Sequence, residues 1–231
     1  MEGKDFKELL KEVKEYLNLK YHPVGVYFSE KKSAEKEKFF ACVGLKRALC
    51  GEEIIMTKSN ISCFGGIHWL GFEDMSHGLT HILTQVEKLF KDEEVFKKWL
   101  ENVPPPPFGK FSSVKLSTKF NESQYPSLII FAGHPHQVHR IHSALIYSTG
   151  DLLIPHYYSA LCQGAITNPF VTDLPSITIP DTFAREICGF ENETIIFSIP
   201  YKWIKAFFEG LFASDGAKEK ILPSLLQFLK K

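Results

Sequence analysis

One arrangement of residues occurs twice in this chain, and it limits the folds that the sequence can adopt. In the first copy, "GEEIIMTKSNISCFGG", Gly51 opens an acidic and apolar run, and Cys63 follows twelve residues later with a glycine two positions beyond it. The second copy, "GDLLIPHYYSALCQGA", has the same spacing between Gly150 and Cys162. A single Cys-x-Gly carries little information, whereas its recurrence in matching surroundings indicates an internal repeat.

The elements predicted before each copy also follow one order, a strand and then a helix. The run "PVGVYF" and a helix ending at Gly51 precede the first copy, and "PSLIIFAG" and a helix closed by Gly150 precede the second. After each glycine a predicted strand leads to a small-residue turn, "CFGG" or "CQGA". Two such units usually share one sheet. The alternative is that two short patterns match by coincidence.

We therefore predict a single domain over residues 1–231, of class α/β or α+β, in which helices pack on a mixed sheet and the pseudo-repeat covers about 22–72 and 126–171. Further strands are predicted at "FSSVKLSTKF", "PSITIP" and "ETIIFSIP". An amphipathic helix capped by Asp5 lies near the N-terminus, and Pro104–Pro107 follow two helices that they cannot continue.

Two amphipathic helices, "YKWIKAFFEGLF" and "PSLLQFLKK", are predicted at the C-terminal end of the sequence. The first is rich in aromatic side chains, which can cover either the protein's own sheet or a second copy of the chain. A homodimer is therefore one hypothesis for this surface. The aromatic residues of this helix include Trp203, Phe207, Phe208 and Phe212.

Composition and charge exclude several classes of protein. Lys and Arg together number 27, as do Asp and Glu, so the chain has no net positive charge that would attract nucleic acid or an anionic membrane. The N-terminal stretch is charged and has no signal-like apolar core, and no run of about 18 apolar residues follows. We expect a soluble, cytoplasmic protein that binds neither nucleic acid nor membrane. Its 44% apolar content is enough for a sizeable core.

The cysteines are the first candidates for chemistry. There are five, an odd number in a chain without a secretion signal, which favours reduced thiols or metal ligands over a disulfide framework. No Cys-x-x-Cys is present, so spacing alone indicates neither a zinc ribbon nor a thioredoxin-type motif.

Several stretches resemble the uncharacterised ArCR family of archaeal and bacterial proteins. The likeness spans most of the chain and is strongest in "ACVGLKRALCGEEIIMTKSNISCFGGIHWLGF" and "LCQGAITNPF", with a looser match in "ENETIIFSIP". The resemblance implies that Cys42, Cys63 and Cys162 act together, and it implies no particular reaction. Cys50 and Cys188 fall outside the pattern.

Three thiols on separate elements can bind an iron–sulfur cluster or a soft metal ion such as zinc. Cys42, Cys63 and Cys162 are the predicted ligands, and a fourth position would be left for another ligand or for substrate. This favours a redox or cofactor-handling role with a small molecule or a redox partner. One alternative is a reactive thiolate at Cys63, supported by nearby backbone N–H groups. Another is a non-catalytic small-molecule binding module whose cysteines pack in the core.

Other residues are candidates for contacts with a ligand. Four histidines crowd "GHPHQVHRIH", and two of them, His139 and His142, lie one helical turn apart, a spacing that can chelate a metal. His68 is predicted to reach the Cys63 turn. Aromatic walls from Trp69, Phe72, Tyr157 and Tyr158 would suit a flat or phosphorylated ligand. The predicted ligand-binding set is Gly65, Gly66, His68, Gly164, His139 and His142. Surface histidines and core aromatic residues are the ordinary alternative.

Overall fold

The computed structural model of the protein describes residues 5–31, 37–102, 104–120, 124–151 and 160–214. A six-stranded sheet crosses this part of the chain in the order β2-β3-β1-β4-β6-β5. All five pairings between neighbouring strands are antiparallel, so the sheet is not mixed, and the α+β class is confirmed. The strands are β1 (Val24–Ser29), β2 (Ile54–Met56), β3 (Ser113–Ser117), β4 (Leu128–Gly133), β5 (Ser176–Thr178) and β6 (Ile195–Pro200).

Strand β4 lies at the centre of the sheet and is buried along its whole length. Side chains alternate between the two faces of a strand. Leu128 and Ile130 therefore join one hydrophobic cluster, and Ile129 and Phe131 join a second on the opposite face. Burial on both faces explains why "SLIIFAG" is continuously apolar although its neighbours run antiparallel.

Helices cover both faces of the sheet. Helices α1, α6 and α9 contribute to the cluster of Ile129 and Phe131, and the others whose buried residues are described here lie on the opposite face, which we call the cysteine face. The helices are α1 (Phe6–Tyr16), α2 (Ala41–Leu49), α3 (Phe64–Trp69), α4 (Ser76–His81), α5 (Glu93–Leu100), α6 (Pro135–Thr149), α7 (Asn168–Thr172), α8 (Thr182–Cys188) and α9 (Ile204–Ala213). π-Helical segments continue α4 over Ile82–Val86 and precede α7 over Gln163–Thr167, and a 3₁₀ turn, Tyr201–Trp203, precedes α9.

Local signals fixed the ends of several helices. The side chain of Asp5 caps α1 and accepts a hydrogen bond from the Glu8 backbone N–H at 3.3 Å. Gly150 follows α6 in the left-handed conformation, with φ of 68°, which a glycine adopts without strain. Both ends were predicted from the sequence.

The structure does not confirm the predicted repeat. The strand orders β2-β3-β1 and β4-β6-β5 mirror each other about the β1–β4 pair. However, α2 packs on the cysteine face and α6 on the opposite face. The two-fold axis that relates adjacent antiparallel strands is perpendicular to the sheet, so it would place both helices on the same face. The two strand-helix units therefore do not superpose by that axis. The strand predicted in "DLLIPHYYSAL" falls mostly on residues 152–159, outside the described residues.

The two Cys-x-Gly segments are helical, so the prediction of turns was wrong. Cys63 is the N-cap residue of α3, and Cys162 immediately precedes the π-helical segment Gln163–Thr167. Both cysteines therefore lie where the chain enters a helix.

The aromatic residues of α9 pack mainly on the protein's own core. Phe207 and Phe208 are buried, and the Phe207 ring lies 5.3 Å from that of Phe131 in β4, measured between centroids. Phe212 remains 41% exposed. The predicted helix "PSLLQFLKK" lies outside the described residues. Among the residues described, no helix combines the length and the hydrophobicity needed to cross a membrane.

Candidate functional site

A cavity of about 320 Å³ opens on the cysteine face, and the three predicted cysteines line it. Cys42 comes from the first turn of α2, Cys63 from the start of α3, and Cys162 from the residue before the second π-helical segment. Residues 120 positions apart in the sequence, Cys42 and Cys162, thus meet at one site. We call this cavity the thiol pocket.

Cys63 lies where α2 and α3 approach each other closely. Its sulfur accepts a hydrogen bond from the Ala41 backbone N–H at 3.5 Å. A Cβ atom at Gly66 would lie 2.8 Å from the Ala41 Cβ and 2.9 Å from the Cys63 Sγ, so only glycine fits there. Burial raises the pKa of the Cys63 thiol, and the Ala41 and Gly66 N–H groups oppose that rise. The thiol is therefore protonated in the absence of a bound metal.

Cys162 is the most deeply buried of the three thiols, with 5% of its surface exposed. Burial raises its pKa well above the ordinary value, and the neighbouring Cys63 adds to the rise. The preceding Leu161 N–H donates to the Asp181 carboxylate at 3.0 Å, and the same carboxylate accepts from the Ala184 N–H and caps α8. Asp181 thus joins the Cys162 segment to α8 at the wall of the pocket.

The π-helical segment after Cys162 is held by side chains of the sheet. The Ser176 hydroxyl donates to the Gly164 carbonyl at 2.8 Å, and the Ser198 hydroxyl donates to the Ala165 carbonyl at 2.7 Å. The pocket is also lined by Ile82 of the other π-helical segment. Short π-helical segments are rare and occur frequently at functional sites. Two of them adjoin the thiol pocket.

A fourth cysteine, Cys188, joins this group from the C-terminal end of α8. The Cys42 and Cys188 thiols interact, and this interaction raises the pKa of Cys42 and lowers that of Cys188. Burial also raises the pKa of Cys42. Cys188 falls outside the ArCR-like pattern of cysteines, and no local pattern in the sequence indicates that α8 packs against α2. Only the contact between the two helices brings the fourth thiol to the site.

Two carboxylates also line the pocket, and neither was predicted from the sequence. They belong to Glu87 and Asp181, and no Lys or Arg is among the described lining residues. Burial, followed by the charge of Asp181, raises the pKa of Glu87. The lining thus carries thiols and acids together, which favours a cationic or electrophilic occupant over an anion.

The rest of the pocket wall is apolar and largely aromatic. Phe40 and Phe183 meet edge to face near the opening, with ring centroids 5.2 Å apart. Phe64 also lines the pocket and is 42% exposed, whereas Trp69 is buried. Of the four aromatic residues predicted to form such a wall, Trp69 lines this pocket. Phe72 lines a separate surface groove, and Tyr157 and Tyr158 lie outside the described residues.

The thiols line one pocket but do not form a preformed metal-binding site among the described residues. In the described ranges, no group of three or more His, Cys, Asp or Glu side chains is arranged to hold a metal ion. Cys42 and Cys188 are a contacting pair, and Cys63 and Cys162 lie near enough for each to affect the pKa of a neighbouring thiol. A shared metal would require cysteine side chains to rotate toward one point.

Of the six predicted ligand-binding residues, only Gly65 and Gly66 line the thiol pocket. The Gly164 carbonyl faces Ser176 of the sheet. His139 and His142 belong to α6, on the opposite face of the sheet from the cysteines. His139 Nε2 lies 3.4 Å from the Ser143 hydroxyl, and His142 Nε2 is buried without a hydrogen-bond partner.

His68 lies in α3 but turns away from the cysteines. Its Nδ1 accepts the Met75 backbone N–H at 3.2 Å, and its ring lies 5.1 Å from that of Phe108. The side chain is 2% exposed, and its Nε2 has no partner. Burial lowers the pKa of the imidazole, and Asp74, whose carboxylate is 3.5 Å from Nδ1, opposes this only in part.

The buried His68 makes a pH-dependent contribution to stability. Below an ordinary histidine pKa of about 6.5, the unfolded chain binds a proton at this position more readily than the folded chain, so the free energy of unfolding falls as the pH falls. His68→Asn retains an acceptor near the Nδ1 position and cannot titrate. We expect its free energy of unfolding to fall less than that of the wild type when the pH is lowered from about 7.5 to about 5. Urea unfolding at both pH values measures this. An equal change in the free energy of unfolding between the two pH values, in the variant and in the wild type, would contradict it.

Comparisons with known proteins assign the chain to a family but do not indicate a reaction. No curated protein and no solved structure matches it. One family profile, described as uncharacterised ArCR, matches residues 12–210, a range that includes the four cysteines around the thiol pocket. Because the match covers most of the 231 residues, the chain belongs to the uncharacterised ArCR family.

Proposed function

We propose that Cys42, Cys63 and Cys162 hold a thiolate-ligated metal ion or iron–sulfur centre in the thiol pocket, and that the protein has a redox or cofactor-handling role. The observation that supports this proposal is the convergence of three thiols, from three separate elements, on one partly enclosed cavity. Thiolates are soft ligands that select zinc, copper(I) and iron–sulfur clusters.

The donor set fits such a centre in its chemistry. Three thiols line the cavity, and Cys188 supplies a fourth beside Cys42. If the three pocket cysteines are the ligands, one position stays open toward the cavity, where a small molecule or a redox partner can approach. When bound, the centre would supply either electron transfer or Lewis-acid polarisation of that ligand.

Binding of the centre is coupled to loss of protons. Because burial raises the pKa values of Cys63 and Cys162, these thiols are protonated without metal and must release their protons on ligation. In the described structure the buried Cys162 and the partly buried Cys42 and Cys63 pack against apolar neighbours.

Metal analysis of cysteine variants tests the proposal. The full chain is purified without oxygen, and iron, zinc and acid-labile sulfide are measured with a visible absorption spectrum. We expect Cys63→Ser and Cys162→Ser each to lose most of the bound metal while circular dichroism shows that the chain still folds. Cys50→Ser is the matched control because Cys50 is exposed and outside the pocket, and it should retain the wild-type metal content. Equal metal content in all three variants would contradict the proposal.

A small-molecule binding module is the second candidate. Its support is the shape of the pocket, because about 320 Å³ falls within the range of roughly 300–1,000 Å³ typical of ligand cavities, and the walls are apolar and aromatic. This candidate predicts a colourless, metal-free wild-type protein with pocket thiols that do not react with a maleimide in the native state. The same purification therefore separates the two functions.

A further inference from the structure

The Cys42–Cys188 pair suggests a redox function for the site. The two cysteines are 146 positions apart in the sequence, yet the packing of α2 against α8 brings them together, close enough for each thiol to shift the pKa of the other. Both thiols are free in the structure. Two free thiols held close together can join as a disulfide when an oxidant reaches one of them.

The end of α8 is fixed against α2 by a lysine one turn beyond Cys42. The Lys46 ammonium donates to the carbonyl of Gly189, the residue after Cys188, at 3.0 Å, and to the Tyr21 hydroxyl at 2.6 Å. The same ammonium lies 4.4 Å from the centroid of the Phe190 ring. These contacts fix the residues that follow Cys188 against α2, one helical turn from Cys42.

Reagents can reach this pair from solvent. Cys188 is partly exposed, and Ile187 beside it is 53% exposed. Cys162, by contrast, is 5% exposed, and Cys63 already accepts the Ala41 N–H. Cys50 is exposed but lies eight residues after Cys42 along the same helix, about 12 Å away at 1.5 Å per residue. Cys42 and Cys188 are thus the pair suited to exchange.

We propose that Cys42 and Cys188 form a reversible disulfide by exchange with a small-molecule disulfide, which removes Cys42 from the ligands of the thiol pocket. The Cys188 thiolate attacks one sulfur of the small disulfide, forms a mixed disulfide and releases one small thiolate. Cys42, after losing its proton, attacks the Cys188 sulfur and releases the second. Two cysteine thiols are oxidised, one small disulfide is reduced to two thiols, and the two cysteine protons are transferred to the products.

The consequence for metal release rests on the proposed function, whereas the disulfide itself does not. The first test therefore uses the metal-free full chain, equilibrated in buffers of oxidised and reduced glutathione, quenched with acid, alkylated and mapped by mass spectrometry. We expect one internal disulfide, between the peptides of Cys42 and Cys188, that disappears on addition of reduced glutathione. Glutathione adducts without this internal disulfide, or a disulfide joining another pair, would overturn the proposal.

Two variants make the assignment specific. Cys42→Ser leaves Cys188 without its partner, so a glutathione adduct should accumulate at Cys188 instead of being resolved. Cys188→Ser should form no internal disulfide, and because Cys188 is partly exposed this change tests the pair without disturbing the buried core. Cys50→Ser is the control and should form the Cys42–Cys188 disulfide as the wild type does. An internal disulfide in Cys188→Ser at the wild-type yield would contradict the assignment.

A second measurement separates this inference from the proposed function. Metal-loaded wild-type protein is treated with oxidised glutathione, and released metal is followed together with the disulfide. Release in step with the Cys42–Cys188 disulfide supports both ideas. If the chain binds no metal but forms the disulfide, the proposed metal centre is contradicted and the proposed Cys42–Cys188 disulfide is supported. Retained metal in a chain that forms the disulfide removes Cys42 from the ligand set.

Discussion

Replacing Gly210 with alanine is expected to lower the free energy of unfolding by about 3 kcal/mol or more, at the upper end of the range for overpacking. Gly210 lies in α9 where it crosses α6. A Cβ atom there would lie 1.8 Å from the Ala144 carbonyl oxygen and 2.8 Å from the Ser148 hydroxyl oxygen. The Ala144 oxygen belongs to a helix backbone and cannot rotate away, so the two helices would have to separate. Urea unfolding measures the loss.

Gly65→Ala is the matched control for this substitution. Gly65 is also within a helix, α3, but a Cβ there would meet nothing closer than 3.8 Å. Because alanine is the better helix former by up to about 1 kcal/mol, the free energy of unfolding should stay the same or rise. If Gly210→Ala were as stable as Gly65→Ala, the close crossing of α6 and α9 would be wrong.

Replacing Trp69 with alanine is expected to lower the free energy of unfolding by about 3–5 kcal/mol, the range measured for large aromatic residues in protein cores. Trp69 is 1% exposed, and its ring meets that of Trp99 edge to face with centroids 5.8 Å apart. It also lines the thiol pocket. The substitution should therefore both destabilise the cysteine face and enlarge the pocket. Thermal and urea unfolding measure the first effect.

Trp203→Ala serves as the comparison. Trp203 lies in the 3₁₀ turn before α9, is only partly buried, and donates its indole N–H to the Asp173 carbonyl at 3.0 Å. Its loss should cost clearly less, because less apolar surface returns to water and the hydrogen bond contributes only about 1 kcal/mol. Equal losses for the two tryptophans would show that Trp69 is not part of a closely packed core.

Secondary structure was largely predictable where the signal is local. The run "SLIIFAG" became β4, and the left-handed Gly150 ended α6, because each depends on residues next to it in the sequence. The predicted turns at Cys63 and Cys162 failed because small residues permit a helix start as readily as a turn. Tertiary packing decided between the two, most clearly at Gly66, which lies against Ala41 of α2.

The candidate site was predictable in part. A resemblance to the ArCR family grouped Cys42, Cys63 and Cys162, and the structure places these three around one pocket. Cys188 was not predictable, because its place beside Cys42 depends on the packing of α8 against α2. The histidines were separated from the cysteines for the same kind of reason. His142 shares α6 with apolar residues that face the other side of the sheet.

The sequence by itself determined most of the segments that form strands and helices, and its resemblance to the ArCR family grouped three of the thiols. Those segments follow from hydrophobic periodicity, helix caps and residue type, which act over a few neighbouring positions. Only the tertiary structure decided that α2 and α6 lie on opposite faces, that the sheet is antiparallel, and that Cys188 meets Cys42. These depend on contacts between residues up to 146 positions apart, and the summed burial of many side chains selects them.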